Sequence, residues 1–245
     1  MSRAWMDMPL GAFDLETTGP DPREARVVTA CLAAIDGPKV QVDNWLVDPG
    51  IEIPEGATKV HGISTEIART EGIDYLIGLK AVRERLGAMW AEGRIVAAYN
   101  ASYDLTVIQT ESARLGLAPM IIGPTVDPFV LDHHADPDRT GKRKLTDAIR
   151  TYGLSIGKAH TAEADALAAA RLAWVIARRY PEIGRLDVQT LMQRQALWYA
   201  HRGEKLKQRF REIAESKQKR AQAMLDQAQE WRDRADGVAM LWPIQ

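Results

Sequence analysis

Asp14-Leu15-Glu16-Thr17-Thr18-Gly19 closes an apolar run that begins at Pro9, and the fold of the whole chain is read outward from it. Residues i and i+2 of a strand point to the same side, so a strand carried through this run sets the Asp14 and Glu16 carboxylates beside one another. Two like charges held that close repel and raise a pKa unless a cation lies between them. A divalent metal is the natural partner, although a polar strand end leading into a turn would read the same way. Downstream, residues 25–35 and 39–47 are strand-like and joined through Asp36-Gly37-Pro38. So short a connection predicts an antiparallel meander with residues 9–14. Residues 64–69 read as a short helix, and 74–90 as a longer one with Leu79, Val82, Leu86 and Trp90 at helical spacing. The pattern then alternates: strand 94–99, helix 103–115, strand 120–126, and helices near 145–152 and 163–180. A three-strand meander feeding strand–helix units predicts an α/β fold, a mixed sheet of antiparallel and parallel strands flanked by helices.

The 245 residues are enough for one substantial core and an appendage. With 46% hydrophobic and 27% charged residues the composition is globular, and no apolar run approaches the roughly 20 residues of a membrane span. The first residues, Met-Ser-Arg-Ala-Trp-Met-Asp-Met-Pro, lack the apolar stretch of a secretory signal, so a cytoplasmic protein without a membrane partner is expected. Cys31 is the single cysteine, which excludes an internal disulfide and a multi-cysteine zinc site. A net charge of -1 argues against coating nucleic acid by bulk electrostatics. A polynucleotide substrate would have to be held locally.

From about Leu186 to Asp236 the chain becomes a nearly uninterrupted helical stretch, and Pro181 and Gly184 mark the change. The expected domains are 1–183 and a helical extension, 184–245. Within the extension Phe210, Ala214, Lys217, Ala221, Met224, Ala228, Trp231, Ala235 and Val238 alternate spacings of four and three, a coiled-coil-like seam with small residues at every second position. Such a seam would close on the chain's own body, on a second copy or on another protein. Residues 205–220 hold seven basic and two acidic side chains, which would either follow a nucleic-acid backbone or form a solvated face. The apolar end Met240-Leu241-Trp242-Pro243-Ile244 is expected to dock on the first domain or on a partner.

Two further acidic positions fall where a strand ends or a helix begins. In Tyr99-Asn100-Ala101-Ser102-Tyr103-Asp104 the aspartate opens a helix, where it would also complement the helix dipole. His160-Thr161-Ala162-Glu163-Ala164-Asp165-Ala166 runs from a loop into a helix and can place an imidazole and a carboxylate around one small volume. Open α/β sheets gather their ligands at such places. In order and local context Asp14/Glu16, Asp104 and His160/Asp165 resemble the three motifs of the DnaQ-like DEDDh exonucleases, the family of the proofreading epsilon subunit of bacterial DNA polymerase III. The resemblance covers residues 9–180, and Val60-His61-Gly62-Ile63-Ser64 also looks like a family feature. It departs at Tyr99, where many relatives carry histidine.

The resemblance implies a ribonuclease H-like fold and a metal-dependent 3′→5′ exonuclease with two divalent ions, Mg²⁺ with Mn²⁺ as substitute. Asp14 would bridge both ions, Glu16 and Asp165 would complete the site that activates water, Asp104 would act on the second ion through water, and His160 would be the general base. It also implies that the backbone at Thr17 binds the terminal 3′-hydroxyl. Leu15 would pack on the terminal base or be a plain strand residue. Asn100 would orient the second-motif turn or cap the helix beginning near Ser102, and His61 would lie near the nucleotide or serve the structure. The basic loop 139–144, with Arg143 and Lys144, would hold upstream phosphates or remain solvated. Asp127, Asp132, His133, His134 and Asp136 are not read as a second metal cluster. The implied substrate is a single-stranded 3′ end, DNA in proofreading or repair, with RNA the alternative. A polymerase or other protein partner, or self-association, would use the C-terminal helices. A non-catalytic scaffold working through that tail is the competing class.

Overall fold

A computed structural model of the chain describes residues 3–155 and 161–238, so the expectations for His160 and for residues 240–244 lie outside the described residues. The central strand β1 (Leu10–Thr17) runs past Asp14 and takes in Glu16, so both carboxylates are strand residues. It pairs antiparallel with β2 (Val27–Asp36), which pairs antiparallel with β3 (Lys39–Leu46). Gly37 takes the positive φ of 60° that the two-residue link between β2 and β3 requires. On the other side β4 (Ile95–Ala97) lies parallel to β1 and β5 (Thr125–Val126) parallel to β4, giving the order β3-β2-β1-β4-β5. The expected meander and parallel strands are therefore present. β5 is shorter than the predicted 120–126 because Pro124 has no N–H for the ladder and side chains satisfy the preceding backbone. The Gln109 amide donates to the Met120 carbonyl at 2.6 Å and accepts its N–H at 3.1 Å, while the Trp90 indole donates to the Pro124 carbonyl at 3.0 Å.

The helices are α1 (Glu55–His61), α2 (Thr65–Glu71), α3 (Tyr75–Ala91), α4 (Ala101–Arg114), α5 (Pro128–Ala135), α6 (Leu145–Thr151), α7 (Ala162–Arg179), α8 (Pro181–Gly184) and α9 (Val188–Asp236). Of these, α1, α5 and α8 lie where the sequence pattern predicts no helix. The period of two along β1 sorts its side chains between two layers. Phe13 and Leu15 face Leu79, Val82 and Leu86 of α3 and Ile108 of α4. Ala12, with Cys31 and Ala33 of β2, faces Leu131 of α5, Ile149 of α6 and Leu172 and Ile176 of α7. Asp14 and Glu16 continue the Ala12 side, toward α7. Buried alanines along α7, among them Ala166, Ala169 and Ala173, keep that helix close to the sheet.

The chain divides into the compact units Met1–Trp198 and Tyr199–Gln245. The first unit extends beyond the 183/184 seam that composition suggested, because Ile183, Leu191 and Gln195 are buried and the Trp5 indole donates to the Ile183 carbonyl at 2.8 Å. Gly184 serves close packing instead of a linker: a Cβ there would lie 2.4 Å from the Ala177 carbonyl oxygen. In the second unit every residue from 204 to 238 is exposed. Among the described residues no helix is long and apolar enough to cross a membrane.

Candidate active site

β1 delivers Asp14 and Glu16, and the first turn of α7 delivers Asp165, where Thr161 caps the helix by accepting the Ala164 N–H at 3.3 Å. Each of the three acids offers a carboxylate oxygen, and these oxygens lie within 4.8 Å of one another. Asp104 comes from the first turn of α4, is 4% exposed, and accepts the Leu15 N–H at 3.1 Å. It thus stands against the strand that carries the other two acids. Burial raises Asp14 well above the usual carboxylate range, and the charges of Asp104, Glu16 and Asp165 push it further. Glu16 is pushed up to about 7 by burial and then by Asp165. Asp104 rises to about 8 through burial, with its backbone hydrogen bonds opposing the rise. Carboxylates that resist ionisation and share one small volume fit a hard divalent cation, which prefers oxygen ligands and removes the repulsion.

That arrangement fixes a pH dependence. The folded protein holds protons at Glu16 and Asp104 up to about pH 7 and 8, whereas free carboxyls ionise near pH 4. Their contribution to stability is full below the free values and is lost as pH rises through the folded ones. Melting in EDTA is therefore expected at a lower temperature at pH 8.5 than at pH 6, with the stabilisation gained from Mg²⁺ largest at the higher pH. A Mg²⁺ increment that does not grow with pH would contradict this account of the cluster.

Asn100 sits at the N-cap of α4 with φ 61° and ψ 45°, but its side chain makes no cap bond. The Asp127 carboxylate does that work, accepting the N–H groups of Asn100 at 2.9 Å and Ala101 at 3.0 Å, and also that of Phe129 at 2.9 Å at the start of α5. Asp127 is in turn held by Gln195 of α9, which accepts its N–H at 2.7 Å and donates to the Thr125 carbonyl at 2.9 Å. Capping by Asn100 is thus replaced by capping from Asp127, and Gln195 carried no signal in the sequence. Beside Glu16, the Thr17 hydroxyl donates to the Gly19 carbonyl at 3.0 Å and lies 2.5 Å from the Tyr103 hydroxyl, which fixes the turn after the strand. Leu15 is 6% exposed, packed as a core residue of the α3 and α4 layer.

His61 ends α1, and its Nδ1 accepts the Ile63 N–H at 3.1 Å. Burial holds its imidazole below the usual range. It lines, with Glu16, Trp45, Ile63, Glu163 and Arg171, a cleft of about 760 Å³.

Arg143 is placed otherwise than the basic loop suggested. Its guanidinium bonds the buried Asp132 carboxylate at 3.1 Å and the carbonyls of Asp132, Asp136 and Arg139, and Arg139 joins the same carboxylate. A buried charge needs a partner, and Asp132 takes two of the loop's cations. Tyr99 donates to the Arg143 carbonyl at 2.7 Å and ties the segment after β4 to this loop. Lys144 keeps an exposed side chain. Arg143→Ala is expected to cost about 1–3 kcal/mol in urea unfolding, because Arg139 still pairs with Asp132 while the carbonyls of Asp132, Asp136 and Arg139 lose a buried donor. Lys144→Ala should change stability little, and equal losses in the two variants would contradict the assignment. His133 meets Phe129 edge-on and His134 stacks on Trp198 at 3.9 Å. Among the described residues the single acidic or histidine group with metal-ligand spacing is the Asp14 cluster.

The mixed five-stranded sheet, with carboxylates clustered at the end of its central strand, has the ribonuclease H-like fold. Residues 12–173 match the RNase T family, described as exonuclease, and the chain belongs to that exonuclease family. It is 31% identical over 176 residues to "Uncharacterized exonuclease CP81" of Escherichia phage 186, covering 67% of this chain and 86% of that protein. It is 32% identical over 124 residues to a "DNA polymerase III subunit epsilon-like protein" of Rhodobacter capsulatus, covering 49% of this chain but only 16% of the relative. E. coli exonuclease I in complex with a dA16 oligonucleotide superposes with a TM-score of 0.57 at 19% identity, over 71% of this chain and 41% of that one. The chain thus spans less than half of the longer proteins it resembles.

Proposed function

We propose that this chain is a 3′→5′ exonuclease that releases nucleotides from single-stranded DNA ends, working in proofreading or repair. The observation that carries the reading is the cluster of Asp14, Glu16 and Asp165, whose carboxylate oxygens lie within 4.8 Å of one another. Glu16 also lines the 760 Å³ cleft. Asp14, Glu16 and Asp165 would hold divalent ions, Mg²⁺ with Mn²⁺ as substitute, and Asp104 would act beside them. Such ions, when bound, lower the pKa of water and stabilise charge on a leaving oxygen. Burial makes Glu16 and Asp104 reluctant to ionise alone, and they would be deprotonated when holding the ions. The Leu15 N–H holds Asp104 in one orientation against the strand.

His160 is assigned as the general base, taking a proton from the attacking water, a task to which histidine side chains are suited at neutral pH. The backbone at Thr17 would receive the terminal 3′-hydroxyl, and His61 lines the cleft that Glu16 also lines. DNA is favoured over RNA because a structural neighbour holds a DNA oligonucleotide and a relative carries the name of a polymerase III subunit. The same kinship supports a place beside a polymerase. Mass spectrometry of the products from matched DNA and RNA oligonucleotides tests the reading. Nucleoside 5′-monophosphates, released faster from DNA, are expected. Faster release from RNA would move the substrate to RNA, and no release from either would leave the scaffold reading.

A further inference from the structure

Residues 204–236 form the part of α9 in which every residue is exposed. Its large apolar side chains, Leu206, Phe210, Ile213, Met224, Leu225 and Trp231, are between 38% and 71% exposed. With Ala214 at heptad position a, all of them fall at d, e or g, one continuous face. The polar pairs Gln208–Glu212, Gln222–Asp226 and Gln229–Asp233 bind one another at the b and f positions, on the opposite face. A lone helix with such an apolar face lacks the packing that stabilises helices in water.

We propose that this segment pairs with the same segment of a second copy of the chain, as an antiparallel two-helix coiled coil. Two independent features of the sequence choose the second copy and the direction. The first is volume. Position a is alanine at 214, 221, 228 and 235, while position d holds Phe210, Lys217, Met224 and Trp231. In an antiparallel pair a faces d, so one register sets Phe210 on the partner's Ala235, Lys217 on the partner's Ala228, Met224 on the partner's Ala221 and Trp231 on the partner's Ala214. Each layer then holds one large and one small side chain. A parallel pair would put tryptophan on tryptophan and alanine on alanine, alternately overfilled and hollow.

The second feature is charge. Residues 205–220 carry seven basic and two acidic side chains, whereas 226–236 carry four acidic and two basic. Antiparallel pairing lays the basic half of one copy along the acidic half of the other, and parallel pairing would oppose like to like. Lys217 inside the seam costs some stability and favours the one alignment in which its stem crosses an alanine.

The test uses the full chain. Light scattering is expected to give twice the 27.2 kDa chain mass, and a double variant with Ala221→Glu and Ala228→Glu is expected to be monomeric with an unchanged rate on a short oligonucleotide. Direction is read by dipolar spectroscopy on a spin label at Gln208→Cys, Cys31 being buried. The proposed register spaces the two labels by about 40 Å at 1.5 Å per residue, against roughly 20 Å for a parallel pair. A monomeric full chain, a dimer that survives both glutamates, or the shorter distance would overturn the proposal.

Discussion

Asp14→Asn is expected to lower nucleotide release by about 10³-fold or more while leaving the metal-free protein at least as stable as the wild type. The first half follows from position. The charges of Asp104, Glu16 and Asp165 all act on Asp14. On the proposed reading, neutralising it would remove a ligand to the ions, and metal assistance is worth several kcal/mol, tenfold in rate for each 1.36 kcal/mol. The second half follows from electrostatics. Burial and three like charges oppose the ionised Asp14, and an amide of the same shape relieves them. Activity assays beside thermal melts in EDTA check both halves. A variant that loses activity only by unfolding would make Asp14 a structural anchor and not a metal ligand.

His160→Ala is expected to lower the turnover number by about 10²- to 10⁴-fold, the span that general-base groups supply. Affinity for divalent cations should be largely kept, because the carboxylates remain. The acid limb that a histidine general base gives the pH–rate profile should disappear with it. Steady-state kinetics across pH and a Mn²⁺ titration of the same variant check this. A loss confined to KM would show that the residue binds substrate without taking the proton.

Much of this site is legible in the sequence, for reasons that can be named. The period of two along β1 shows that Asp14 and Glu16 share a side, and the alternation of strand and helix patterns shows a mixed sheet. What stays hidden depends on contacts between distant segments or on elements too short to carry a period. A seven-residue helix such as α1 makes two turns, too few for an apolar stripe. The start of α5 was open to reading, since Asp127-Pro128 is a helix cap followed by a first-turn proline. Asp127 also caps α4 from 26 residues away, and no local pattern points to that. Arg143 looked available for phosphate because its loop is basic, but the burial of Asp132 that claims it appears only in three dimensions. Pro181 and Gly184 read as punctuation, yet they let α8 pack tightly on α7.

The central claim is that the acidic cluster removes nucleotides from a 3′ end with the help of divalent ions. It is tested most directly by a time course on single-stranded DNA labelled at either end, run with Mg²⁺, with EDTA, and with the Asp14→Asn variant. The account predicts a ladder that shortens from the 3′ end in Mg²⁺ alone, with the 3′ label released first as a mononucleotide and nothing released by the variant. Release from the 5′ end, internal cuts, or equal digestion in EDTA would contradict it.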